Sequence, residues 1–171
     1  MVVHVSRKSL SAGYIVKDAQ GNDRWTVREA PFSWRKKLYV YDADGNDAAF
    51  LCRINTKYYI EVPGEPHVAL AREPRSTGWR FHLEGLPWRL EDDAYVLKPL
   101  SRAHRGVDCP HEFTLFAAGE GMMRVSRDWL FRGCAYRLEI ANPRRELLCL
   151  CIVIALDCEI EREKAKASGG G

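Results

Sequence analysis

The segment that decides the fold is ELLCLCIVIALDCEI, residues 146–160. From Leu147 to Leu156 no side chain is polar except the thiols of Cys149 and Cys151. A membrane-spanning helix needs about 20 apolar residues. Glu146 and Asp157 close this run well short of that, so it reads as a buried core segment and no transmembrane span is expected. Asn142 and Pro143 stand just before it. Asn is a favoured N-cap and Pro a favoured first helical residue. That start signal, with a length from Pro143 to about Glu161, predicts a helix rather than a strand. A helix that is apolar on every side must be surrounded by protein.

Upstream the pattern changes to short alternating runs broken by Gly, Asp and Pro. YIVKDAQGNDRWTV (14–27) and LYVYDADGNDAAFL (38–51) repeat each other at an offset of 24 residues. Asp18, Gly21, Asn22 and Asp23 match Asp42, Gly45, Asn46 and Asp47. Each copy predicts a hairpin whose turn places Gly in the left-handed region. The oxygen-rich DADGND does not fit a calcium loop of the EF-hand kind. That loop wants Gly at its sixth position and Glu at its twelfth, whereas here Gly45 is fourth from Asp42 and the twelfth residue is Arg53.

Further runs follow at 57–62, 67–72, 78–84, 87–91, 94–99, 112–117, 122–127 and 133–140. In GWRFHLE (78–84), Trp79, Phe81 and Leu83 fall on one face and Arg80, His82 and Glu84 on the other. Such alternation marks antiparallel sheet with one wet face. About a dozen strands at this spacing predict a sandwich or barrel. Around eight strands already fill a barrel with their own side chains, so a barrel of a dozen would be hollow. The all-apolar helix is a suitable filler. The expected fold is therefore mainly β: a closed antiparallel barrel of about twelve strands around a central hydrophobic C-terminal α-helix. One domain covers 1–162, followed by a flexible polar tail at 163–171. SRAHRGVDCPH (101–111) is expected to be a loop.

Hydrophobic residues make up 46% and charged residues 29%, an ordinary globular balance. The net charge of +3 is too mild to demand nucleic acid. The opening MVVHVSRKSL lacks the apolar core of a secretory signal. Three of the six cysteines, Cys149, Cys151 and Cys158, sit in the apolar segment, where thiols pack as small hydrophobes. These features predict a reducing, cytoplasmic setting.

The paired hairpins with DxxGND turns, the FSWRKKLYVYD stretch (32–42) and the closing ANPRRELLCLCIVIALDCEIE (141–161) together resemble the LURP-one-related family. The resemblance spans roughly residues 3 to 162. It implies the tubby C-terminal-like fold, which phospholipid scramblases are also thought to share. Tubby proteins bind phosphoinositide head groups at membranes. None of their binding residues can be matched onto this chain by position.

No nucleophile elbow, P-loop or dinucleotide fingerprint is present, and no cofactor is expected. Cys109-Pro110-His111, with His104 and Asp108 nearby, is the one arrangement that invites a catalytic or metal reading. It lacks recognisable ligand spacing, and loop neighbours seldom have the mutual geometry of a catalytic pair. Cys149 and Cys151, two apart on a helix, point in different directions and read as packing. The acidic Glu91-Asp92-Asp93 reads as a solvated turn. The remaining candidates are basic: Arg35, Lys36 and Lys37, Arg72 and Arg75, Arg102 and Arg105, and Arg144 and Arg145. Converging at one end of a barrel they would bind phosphate head groups, with Trp34 at the lipid interface. The expectation is a non-enzymatic binding module, cytoplasmic or peripheral at membranes, for anionic phospholipid head groups. The alternative is a protein-interaction or stress-response scaffold without lipid affinity.

Overall fold

The computed structural model describes residues 1–8, 13–72, 81–86, 95–99, 112–117, 120–128 and 135–168. Among these residues, twelve strands precede one α-helix. They are β1 (Val2–Arg7), β2 (Gly13–Asp18), β3 (Asp23–Glu29), β4 (Lys37–Tyr41), β5 (Asp47–Ile54) and β6 (Lys57–Glu61). Then come β7 (Val68–Arg72), β8 (Phe81–Glu84), β9 (Tyr95–Pro99), β10 (Glu112–Ala117), β11 (Glu120–Asp128) and β12 (Ala135–Ile140). Each strand pairs antiparallel with its neighbours in sequence. β1 also pairs with β12, Val3 opposite Leu138 and Val5 opposite Tyr136, so the order of pairing returns on itself as a barrel.

The two sequence repeats are the β2–β3 and β4–β5 hairpins, built alike to the atom. The Asp18 carboxylate accepts from the backbone N–H groups of Gln20 and Asn22 and from the Asn22 side chain. Asp42 does the same with Asp44 and Asn46. Gly21 and Gly45 hold φ of 89° and 88°, a region that costs other residues dearly. These bonds hold both aspartates below the usual carboxylate range, led by the Asn22 and Asn46 side chains. Their oxygens are thus spent inside the turns, which is why the acidic loops are turn chemistry and not cation sites.

A 3-10 turn (Pro143–Arg145) leads into α1 (Glu146–Ser168). The Asn142 side chain accepts from the Arg144 N–H at 3.0 Å, as a cap should. Every residue from Leu148 to Ile160 is buried. Val3, Val5, Val16, Val27, Leu38, Val40, Leu51, Leu70, Phe81, Phe113 and Leu138 face this helix from the strands around it. Their alternation supplies one apolar wall, and the helix supplies the filling.

The three buried charged residues of α1 lie at the two ends of its apolar stretch. Glu146 accepts from Arg24 through two bonds of 2.8 and 2.7 Å and from the Trp25 indole at 3.0 Å. Asp157 accepts from the hydroxyls of Tyr14, at 2.8 Å, and Tyr136. Glu159 is bound by Arg162, and Arg53 lies 3.5 Å away. Where the helix leaves the strands, Arg7 pairs with Glu161 and Arg72 with Glu163. These pairs, with Lys166 on Glu163 one turn on, carry α1 through Ser168. The helix therefore runs past Glu161, and the polar stretch from 163 is helical as far as Ser168.

Replacing Leu150, fully buried in α1, by Ala removes filling that no neighbour replaces. Its expected cost is about 2–5 kcal/mol, read as a lowered midpoint in urea unfolding.

Candidate functional site

The helix gives the ring two distinguishable rims. At the lower rim α1 begins, beside Arg24 and Glu65. At the upper rim it leaves, beside Arg7, Arg53 and Arg72. The sequence-predicted cations divide between the two. Arg35, Lys36 and Lys37 lie on the β3–β4 connection and Arg72 at the end of β7, all at the upper rim. Arg144 and Arg145 lie at the lower rim. A helix rises 1.5 Å per residue, so Arg145 stands about 27 Å along the axis from Glu163, the partner of Arg72. Arg75, Arg102 and Arg105 lie outside the described residues, as do Cys109, His111, His104, Asp108, Trp79 and Glu91-Asp92-Asp93.

Several of these cations already hold carboxylates. Arg145 binds Glu65, so the anion that draws it is internal. Arg72 donates to Glu163 at 3.0 Å, and Lys36 to Glu29 at 2.5 Å. Arg35 and Arg144 remain exposed, and Lys37 is half-buried on the outer face of β4.

The β3–β4 connection is the most distinctive surface. Its base is tied: the Ala30 N–H donates to the Lys37 carbonyl at 2.9 Å, and the Arg53 N–H to the Lys36 carbonyl at 2.8 Å. The Lys36–Glu29 pair bridges the same base. From it project Phe32 and Trp34, both essentially fully exposed, Trp34 at 96%. Phe32 holds φ of 59°, left-handed backbone that a bulky residue rarely adopts. The Arg35 guanidinium lies 5.8 Å from the Trp34 ring centroid, within cation–π range. Beside this tip is a cleft of about 440 Å³ lined by Lys8, Gly13, Val27, Arg28, Glu29, Ala30 and Pro31. Lys8 and Arg28 make no ion pair among the described residues. Arg28 instead stacks 5.2 Å over the Tyr41 ring. Sequence reasoning picked out Trp34 but missed Phe32, Lys8 and Arg28. Phe32 follows a proline and looks in sequence like any apolar residue near a strand end. Lys8 and Arg28 are twenty residues apart and meet only because β1 and β3 flank β2.

The described thiols offer no reactive site. Cys52, Cys149, Cys151 and Cys158 are unbridged and buried. Burial pushes the Cys149 thiol up to about 12 and raises those of Cys151 and Cys158 as well. A nucleophilic cysteine needs the opposite shift.

These features define a helix-filled antiparallel β-domain that carries an aromatic and basic tip on one rim. A model of the LURP-one-related family matches residues 1–157, and the chain belongs to that family. Comparison with curated proteins and with solved structures returned no match. No helix among the described residues is long and apolar enough to cross a membrane.

The raised thiols set an alkaline limit on stability. Folded Cys149 keeps a proton that the unfolded chain, with an ordinary value of 9.0, releases. Its contribution is intact below pH 9 and is lost as pH rises toward 12. The Tyr14 and Tyr58 phenols, raised chiefly by desolvation, act in the same direction. Each titrating group should cost about 1.4 kcal/mol per pH unit in that window. Urea midpoints measured on both sides of pH 9 should fall steeply on the alkaline side only.

Proposed function

We propose that this chain is a non-enzymatic module that docks reversibly on membrane surfaces rich in anionic phospholipid. The observation that carries the reading is the β3–β4 tip, where Phe32 and Trp34 stand free of the fold beside Arg35 and Lys37. Large apolar side chains projecting singly are ordinary. Two aromatics at one tip, on a base closed by hydrogen bonds and an ion pair, are less so. Left-handed backbone at a bulky residue costs about 1–3 kcal/mol, and the exposed Phe32 ring recovers none of it by packing.

The physical chemistry of such a tip suits the boundary between head groups and acyl chains. Trp concentrates there because its ring is apolar and its N–H polar. Burying an aromatic side chain is worth about 1.5–3 kcal/mol. Each cation near an anionic surface adds about 1 kcal/mol. Two aromatics and several cations, less the cost of ordering, give binding that forms and releases. The cleft holding Lys8 and Arg28 opens beside the tip and is the natural seat for a phosphate, since both cations lack carboxylate partners among the described residues.

Co-sedimentation with vesicles tests this reading. Phosphatidylserine or phosphoinositide vesicles should carry the chain down and neutral phosphatidylcholine vesicles should not. The double change Phe32→Ala with Trp34→Ala should weaken binding at least about tenfold while the urea midpoint holds. Equal sedimentation with neutral and anionic vesicles would overturn the proposal.

A further inference from the structure

The lower half of the barrel's outer surface carries a second cleft, of about 480 Å³, with chemistry opposite to that of the tip. Its floor is a cross-strand row. Tyr39 of β4 lies opposite Phe50 of β5, and Phe50 opposite Glu61 of β6. The two rings sit 5.1 Å apart at 46°, giving an aromatic shelf with a carboxylate at its edge. Asp47, at the start of β5, closes one side. The turn Val62-Pro63-Gly64-Glu65 closes another. This turn is fixed: the Glu65 N–H donates to the Val62 carbonyl at 3.0 Å, Gly64 holds φ of 79°, and the Glu65 carboxylate is bound by Arg145.

The charges in the cleft are uneven. Glu65 is neutralised by Arg145, but Asp47 makes no ion pair among the described residues. The only ion-pair partner of Glu61 among them is His67, 3.9 Å away and largely exposed, which counts only when protonated. Two carboxylates thus look onto two aromatic rings. The volume falls within the range of ligand sites. The molecule as a whole carries +3, so the attraction of this cleft for cations is local and not a property of the whole surface.

We propose that this cleft is a docking site for a protein segment that presents an arginine side chain. A guanidinium is planar, stacks on aromatic faces and donates from a rigid fork to carboxylates. Tyr39 and Phe50 supply the faces, and Asp47 and Glu61 the acceptors. Lysine offers the charge without the plane, so arginine is the better fit. The cleft lies toward the lower rim and the β3–β4 tip on the upper one. A chain resting on a membrane by its tip would keep the cleft open to a second protein.

The test uses the full chain and a short peptide of alternating Gly and Arg, with citrulline and lysine versions as controls. Citrulline keeps the shape of arginine and loses the charge. In NMR titration the arginine peptide should shift the ring resonances of Tyr39 and Phe50 to saturation. The citrulline peptide should not, and the lysine peptide should bind more weakly. The double change Asp47→Asn with Glu61→Gln should weaken arginine-peptide binding about tenfold or more. A control change Glu139→Gln, on an exposed carboxylate of β12 paired with Arg137, should leave it intact. Binding to anionic vesicles should be unaltered in the double variant, which separates this site from the membrane reading. Ring resonances unmoved by the arginine peptide, or equal affinity for the double variant, would overturn the proposal.

Discussion

The structure depends on one requirement: a ring of twelve strands is too wide for its own side chains to fill. The helix from Glu146 to Ser168 meets that requirement, and neither part is complete alone. Outside the ring the helix would expose Leu148 to Ile160 on every side. Without the helix the inward valines and leucines of the strands would line a void, and voids forfeit both transfer and dispersion energy. The apolar helix and the alternating strands are two halves of one solvent-excluding unit.

Filling alone would leave the helix free to slide or turn, because an all-apolar cylinder prefers no orientation. The carboxylates at its ends remove that freedom. Glu146 is held by Arg24 and Trp25, and Asp157 by Tyr14 and Tyr136. Shifting the helix by one residue would carry these charges away from their donors, and an unpaired buried charge costs several kcal/mol. The same register fixes the rims. It brings Arg7, Arg53 and Arg72 onto the acidic end of the helix and leaves the β3–β4 tip beside that exit. The positions of both surface features described above are thus set from the inside.

The helix was legible because its signals are local: Asn142-Pro143, then an unbroken apolar run. The hairpin turns were legible because Asp18 and Asp42 bond within their own loops. The candidate site was less so, because ion pairing is a long-range fact. Arg72 looks like a phosphate ligand until Glu163 comes round beside it. Arg145 likewise looks misplaced at a positive helix terminus until Glu65 is seen. The exposure of Phe32 could not be read either, since hydropathy says what a side chain prefers and not whether the backbone grants it. Helix length was underestimated for the same reason: the pairs that hold Glu161 and Glu163 come from β1 and β7.

The pairing of β1 with β12 bears on how such a chain is made. Val3 and Leu138 are neighbours in space and lie near opposite ends of the sequence. During synthesis the first strand emerges long before its second partner, and its outer edge offers unpaired N–H and C=O groups in the meantime. The filler arrives later still. Contacts of such long range form slowly, and open edges and uncovered apolar faces invite association. The architecture therefore places its period of greatest vulnerability in the nascent chain, and makes the helix that emerges after the strands the segment that ends it.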